Sequence, residues 1–251
     1  MPVKLIISDL DGTLLKEDKT LSEYTVETLK ACRKKGIKVA FATGRGAKND
    51  KVVPKELFDV RIKANGAQAK VGDEIVYCRK IPYELVKPFL EVCQANNFKL
   101  ILQAADKSYA NFKSSSLFNN GSSELIDILK HNIDADKILF RPVDVDFVEK
   151  HLPDDLHYTV SRENFISIMH KEATKAKALS AAAKFLGINP PEIAAFGDDL
   201  NDIDMLAFAG IGIAMGNAVD KLKAIADDTT LSNDEDGVAH WLERNLLLKG
   251  E

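Results

Sequence analysis

Short apolar runs recur along the chain, each followed by a polar bend and then by residues at helical spacing. Val3, Leu5, Ile6 and Ile7 form a short apolar run before Asp9, which predicts a buried strand from Val3 to Ser8. A helix is predicted from about Ser22 to Lys35, with Thr20 and Glu23 at capping-box spacing, Arg33, Lys34 and Lys35 at the dipole's negative end, and Gly36 as its stop. Ile37 to Ala42 follows as a second strand. This is a βαβ unit, whose strands should be parallel neighbours joined by a right-handed crossover.

Arg61 to Ala67 reads as a further strand, and Val71-Gly72-Asp73-Glu74-Ile75 as a hairpin turn. From Pro82 to Glu172 the pattern changes. Helix-like stretches, Glu84 to Asn96 and Ser122 to His131, alternate with strand-like ones at Lys99 to Gln103, Lys137 to Phe140 and Phe165 to His170. From Thr174 the earlier pattern resumes: a helix Lys175 to Leu186 closed by Gly187, a strand Ile193 to Phe196, and a helix reaching Ala207. A strand Ile211 to Met215 and helices Asn217 to Ala226 and Asp236 to Leu248 complete it. The expected fold class is α/β, a doubly wound, mostly parallel Rossmann-like sheet formed by residues 1–81 and 173–251. Residues 82–172 form an inserted α/β domain of ordinary size.

Composition narrows the picture. The 251 residues are 45% hydrophobic and 29% charged, ordinary for a globular protein, and the formal net charge of -4 argues against nucleic acid as a partner. Cys32, Cys78 and Cys93 form no CxxC pair, so they suggest buried thiols in a reducing compartment. No basic stretch and apolar run of signal type opens the chain, and no run approaches the roughly 18 residues of a membrane span. The expectation is a cytoplasmic protein with no membrane partner. Asn120-Gly121-Ser122 reads as a turn.

Ligands of parallel α/β sheets bind beyond the carboxyl ends of the strands, where helix N-termini converge. The loops expected there carry unusual chemistry. Asp9 and Asp11 follow the first strand, two residues apart and on one side of an extended chain, where like charges repel unless a cation sits between them. Thr43-Gly44-Arg45 follows the second strand, and a hydroxyl with exposed amides beside a glycine suits a phosphate oxygen. "GDDLND", Gly197 to Asp202, follows a later strand. Its bland reading is a helix cap, yet Asp198 and Asp202 lie four apart on one helix face and again call for a cation. A hard cation with oxygen ligands, Mg²⁺ first, is the natural partner for such carboxylates. Lys175 opens a helix, where its charge opposes the dipole but could neutralise nearby acids. No Walker loop occurs, and Gly210-Ile211-Gly212 precedes its strand rather than following it, which excludes a dinucleotide fingerprint.

In this order, Asp9-x-Asp11-Gly12-Thr13, Thr43-Gly44-Arg45, Lys175 and Gly197-Asp198-Asp199-x-Asn201-Asp202 resemble the four motifs of the haloacid dehalogenase superfamily of phosphohydrolases. Asn65-Gly66-Ala67, Met215-Gly216-Asn217-Ala218 and "DEDGVAHWL" (Asp234 to Leu242) look like its Cof-type sugar-phosphate phosphatase branch, in which an α/β cap is inserted after the second motif. The resemblance implies a Mg²⁺-dependent phosphatase of small phosphate monoesters that works through an aspartyl-phosphate. Asp9 would be the nucleophile. Asp11 would act as acid and then base, its pKa raised by burial and by Asp9. Asp9, the Asp11 carbonyl and Asp198 would hold Mg²⁺, with Asp202 orienting its waters from behind. Thr43, the Gly44 amide, Lys175 and Asn201 would cradle the phosphoryl group. Asp199 receives no role.

The cap would close over the substrate, with Arg162 and Asn164 as candidate contacts. Ala176 stands where relatives often have glycine, and the segment from Arg45 to Arg61 is short for this branch. Alternatives are a phosphosugar mutase or phosphotransferase, and a sugar-phosphate-binding regulator with little turnover. The expected partner is a small-molecule phosphate monoester, and the expected state a monomer or weak homodimer.

Overall fold

The computed structural model describes residues 2–46, 52–105, 107–113, 123–161 and 164–248. Arg162 and the Asn120-Gly121-Ser122 turn lie outside them. The chain divides into two compact units, one from Met1–Gly44, Asp50–Cys78 and Thr174–Glu251, the other from Arg45–Asn49 and Arg79–Ala173.

The first segment runs β1 (Leu5–Ser8), α1 (Glu23–Lys34), β2 (Lys38–Ala42), β3 (Val60–Lys63), β4 (Gln68–Val71) and β5 (Glu74–Cys78). The second unit holds α2 (Tyr83–Ala95), β6 (Lys99–Ala104), β7 (Lys107–Ala110), β8 (Glu124–Leu125), β9 (Lys137–Arg141), α3 (Val145–His151), β10 (Leu156–Val160) and β11 (Ile166–His170). The chain then returns with α4 (Lys175–Leu186), β12 (Ile193–Gly197), α5 (Ile203–Phe208), β13 (Ile211–Ala214), α6 (Asp220–Lys223), β14 (Asp228–Thr229) and α7 (Gly237–Leu242).

Among the described residues the first unit has an eight-stranded sheet ordered β14-β13-β12-β1-β2-β3-β4-β5. Pairings from β14 through β3 are parallel, and β4 and β5 join antiparallel as a hairpin turned at Gly72-Asp73. Leu5, Ile6 and Ile7 pack with Val39, Phe41, Ala194, Phe196 and Ile213 in one core, as expected of strands covered on both faces. In the second unit the order is β10-β11-β9-β6-β7-β8, mostly antiparallel. There Val86, Phe89, Leu90 and Val148 of α2 and α3 pack on Leu100, Leu102, Ile138, Phe140 and Ile168. The fold class is therefore α/β with a doubly wound, mostly parallel first sheet. None of the described helices is long and apolar enough to cross a membrane.

Several local expectations are corrected. The cap of α1 is Ser22, whose hydroxyl accepts from the Thr25 amide, while Thr20 turns back to hydrogen-bond Asp18. The described part of the Ser122–His131 stretch forms β8 and turns instead of a helix. Leu125 pairs beside Ala110 and the Asp127 carboxylate takes the Leu129 amide, so sheet pairing and a local side-chain bond override the helical spacing. The third strand stops at Lys63, because Ala64–Gly66 form a 3₁₀ turn with Ala64, Asn65 and Gly66 at positive φ. Only Asp220–Lys223 of the predicted Asn217–Ala226 helix is helical, and the last helix ends in a π-helical stretch, Glu243–Leu247.

Replacing Ser22 by Ala removes an N-cap bond and should lower stability by about 1 kcal/mol. The denaturant midpoint checks this; an unchanged midpoint would mean that Ser22 does not secure the helix start.

Candidate active site

β1 and β12 run parallel in register Leu5↔Ile193 to Ser8↔Phe196, so the residues just past them emerge together. Asp9 follows β1, with its amide donating to the Phe196 carbonyl at 3.0 Å, and Asp198 follows β12. Both side chains belong to buried residues, as does Asp202. Ligand oxygens of Asp9, Asp198 and Asp202 lie within 4.8 Å of one another.

Lys175, the first residue of α4, is buried among them. Its Nζ donates to Asp9 Oδ1 and to Asp202 Oδ1, each at 2.6 Å. The other Asp202 oxygen accepts the Asp198 and Asp199 amides at 3.0 and 3.1 Å. Asp202 therefore anchors the lysine and shapes the loop that carries Asp198. The Thr174 hydroxyl caps α4 by accepting from the Lys177 amide at 3.2 Å. Gly66 packs so closely beneath this cap that a Cβ there would stand 2.2 Å from the Thr174 carbonyl.

Thr13 Oγ1 donates to Asp198 Oδ1 at 2.8 Å, from the turn that follows Asp9. That turn requires Gly12, which has φ of +84° and would place a Cβ 2.4 Å from Asp198 Oδ2. On the other side, Thr43 is fully buried beyond β2, and its carbonyl accepts the Asn65 amide at 3.0 Å. A Cβ on Gly44 would come 2.8 Å from Asn65 Oδ1, which also accepts from Asn201 Nδ2 at 3.3 Å.

The sequence-derived candidates thus gather around two linked groups, Asp9, Asp198, Asp202 and Lys175 in one, Gly44 and Asn201 joined through Asn65 in the other. Asp11 differs. Its side chain is 37% exposed and lies 3.4 Å from Lys19 Nζ, so burial, the expected means of keeping a proton on it, is only partial. Asp199 caps the 3₁₀ turn that follows it, accepting from the Leu200 amide at 2.8 Å. Asn164 has a positive φ in a turn beside Ser161. Thr13 and Asn65 bond directly to candidate residues, Thr13 to Asp198 and Asn65 to Asn201, contacts that spacing did not single out although both stand inside quoted motifs.

Burial drives the Asp9 carboxyl well above the usual carboxylate range; Lys175 pulls it back, while Asp202 and Asp198 push it up. Burial alone would lower Lys175, but Asp202 and Asp9 outweigh it and hold the ammonium above its ordinary value. Three carboxylates against one ammonium leave formal charges of -3 and +1, a net of -2, in a buried oxygen-rich pocket. That donor set and that charge fit a hard divalent cation.

The family model for haloacid dehalogenase-like hydrolases matches residues 6–242. The chain belongs to the haloacid dehalogenase-like hydrolases. It is 32% identical to the 5-amino-6-(5-phospho-D-ribitylamino)uracil phosphatase YitU of Bacillus subtilis, over 97% of this chain and 98% of that one. Among solved structures, the phosphatase BT1666 from Bacteroides thetaiotaomicron superimposes with a TM-score of 0.87 at 28% identity, covering 97% of this chain and 95% of that one. A subclass IIB sugar phosphatase of the same superfamily, BT4131, also gives 0.87, at 27% identity over 96% and 98%. Within the haloacid dehalogenase-like hydrolases this chain is accordingly a phosphatase of the Cof-type branch.

Replacing Lys175 by Met strands two buried carboxylates and should cost about 3–5 kcal/mol of stability, less at acidic pH where Asp9 takes up a proton. Chemical denaturation at two pH values measures this. Wild-type stability in the variant would show that the ammonium does not hold the cluster together.

Proposed function

We propose that this phosphatase hydrolyses small phosphate monoesters, sugar and polyol phosphates foremost, with Mg²⁺ and through an aspartyl-phosphate on Asp9. The observation that carries the reading is Asp9 itself, held at 2.6 Å by a buried lysine at the end of the central strand, in a pocket of net negative charge. The carboxylate attacks phosphorus opposite the ester oxygen, forming the O–P bond as the bond to the alcohol breaks. Asp11, two residues on, gives its proton to the departing alcohol oxygen and later takes one from the water that hydrolyses the aspartyl-phosphate.

Lys175, the Thr43 hydroxyl, the Gly44 amide and Asn201 supply donors to the phosphoryl oxygens, fixed before the charge develops. Asp9, the Asp11 carbonyl and Asp198 would hold Mg²⁺, with Asp202 bracing the loop behind. When bound, the ion offsets the carboxylate charge and polarises a phosphoryl oxygen. The named substrate of the Bacillus subtilis relative carries a phosphoribityl group, and the subclass IIB neighbour is a sugar phosphatase, which supports the substrate class. The second unit is proposed to act as the cap that selects the alcohol part.

Incubation with p-nitrophenyl phosphate and Mg²⁺ tests the mechanism. Release should fall by at least about 1,000-fold in Asp9→Asn. No Mg²⁺-dependent release, or equal release by the variant, would sink it.

The cation should bind more weakly as pH falls. Asp9 keeps a proton at a pH above its ordinary value of 3.8, and that proton must leave before the carboxylate can ligate. Calorimetric Mg²⁺ titrations in buffers of different ionisation enthalpy should detect proton release in mildly acidic solution. A pH-independent affinity there contradicts the assignment.

A further inference from the structure

The turn that carries Asp11 is held from outside by two asparagines distant in sequence. Leu14 and Leu15 donate their amides to the carbonyls of Asp9 and Leu10 at 3.2 and 2.8 Å, which closes the turn on itself. Gly12, next to Asp11, sits in the left-handed region and is its most permissive residue. The carbonyl of this residue accepts from Asn217 Nδ2 at 2.8 Å. Asn217 Oδ1 in turn accepts the Asn233 amide at 3.0 Å, and the buried Asn233 side chain donates to the Leu15 carbonyl at 2.9 Å.

The relay is anchored to the acidic loop. Two residues beyond Asn217, the Val219 amide donates to the Asp198 carbonyl at 3.0 Å, and the Gly216 amide donates to Leu231 at 3.0 Å. Lys16 and the Glu17 amide reach the Asp234 carbonyl and carboxylate at 2.7 and 2.9 Å, so the chain leaving the Asp11 turn is tied to the 233–234 loop.

We propose that Asn217 and Asn233 are positioning residues that fix the direction of Asp11, and so determine how well it protonates the leaving alcohol; this rests on the role given to Asp11 above. Asn217 is exposed, and water can satisfy an exposed amide, so stability alone does not demand that both ends of its side chain bond to backbone. Proton transfer does make a demand. The acid must lie within roughly 2.6–3.2 Å of the leaving oxygen, and displacement of about 1 Å is costly. A peptide at Gly12 without its tether can rotate, carrying Asp11 with it.

Asn217→Asp keeps the acceptor for Asn233 and removes the donor to Gly12; Asn217→Ala removes both. The readout is kcat/KM, which covers steps up to departure of the alcohol, for two substrates. An alkyl phosphate such as glycerol phosphate needs the acid, while p-nitrophenolate leaves with little help. In both variants the alkyl substrate should lose about tenfold and p-nitrophenyl phosphate less than about twofold. In the metal-free protein, amide exchange of Leu14 and Leu15 should quicken while that of Ile7 does not change.

Equal losses for the two substrates in an active enzyme, or unchanged exchange at Leu14 and Leu15, would overturn the tether alone. A wild-type protein inert toward both substrates would overturn the phosphatase mechanism and this inference with it.

Discussion

The bond from Lys175 to both Asp9 and Asp202 is the constraint on which the rest of the site depends. A lysine at the start of a helix meets the positive end of the dipole, and a buried one also loses its hydration. Both costs are offset only by the two carboxylates at 2.6 Å. They in turn could not stay charged in this interior without the ammonium. Each member of the triad therefore requires the others, and the backbone must bring three separate chain segments within hydrogen-bond reach. The closeness of Gly66 to the Thr174 carbonyl follows from this demand, since a larger residue there would displace the first turn of α4.

Sheet order satisfies the demand. With β1 paired to β12 on one side and β2 on the other, the loops bearing Asp9, Asp198 and Thr43 leave adjacent strands at the same end. Fine adjustment comes from side chains that bond to loop backbone. Asp202 caps the amides of Asp198 and Asp199, the role that helix-start aspartates ordinarily have, while its second oxygen holds Lys175. The capping reading of "GDDLND" holds for one oxygen of Asp202, while the other is paired with the Lys175 ammonium.

What the sequence made legible divides along sequence distance. The strand run before Asp9, the Lys175–Leu186 helix and the motif aspartates are local signals, carried by residues next to one another and by strand-end placement. Ser22 instead of Thr20 as the cap of α1 was hidden because both are hydroxyl residues at the right place, and the Asp18 carboxylate decides which one turns back. The missed helix α3 is short, and its cap, Asp144 accepting from Phe147, differs little from an ordinary loop aspartate in sequence. Thr13 to Asp198 and Asn217 to Gly12 join residues 185 and 205 positions apart. No periodicity encodes such pairs, and only the folded sheet brings them together.

Charge also governs what can enter. Under the proposed function a phosphate ester would bring further negative charge to a pocket whose formal charge is -2 when all three carboxyls are ionised, and a low-dielectric surround would strengthen the repulsion. The Lys175 ammonium cannot reverse this alone, since both of its short bonds are spent on carboxylates. On the proposed function, a divalent cation would bring the cluster's formal charge to neutrality, and only then would the donors assigned at Thr43, Gly44 and Asn201 dominate the field that an incoming phosphate meets. The excess carboxylate charge that makes the site suit a cation is therefore also what would keep anions out in its absence, so under the proposed function occupancy by the ester would depend on occupancy by the ion.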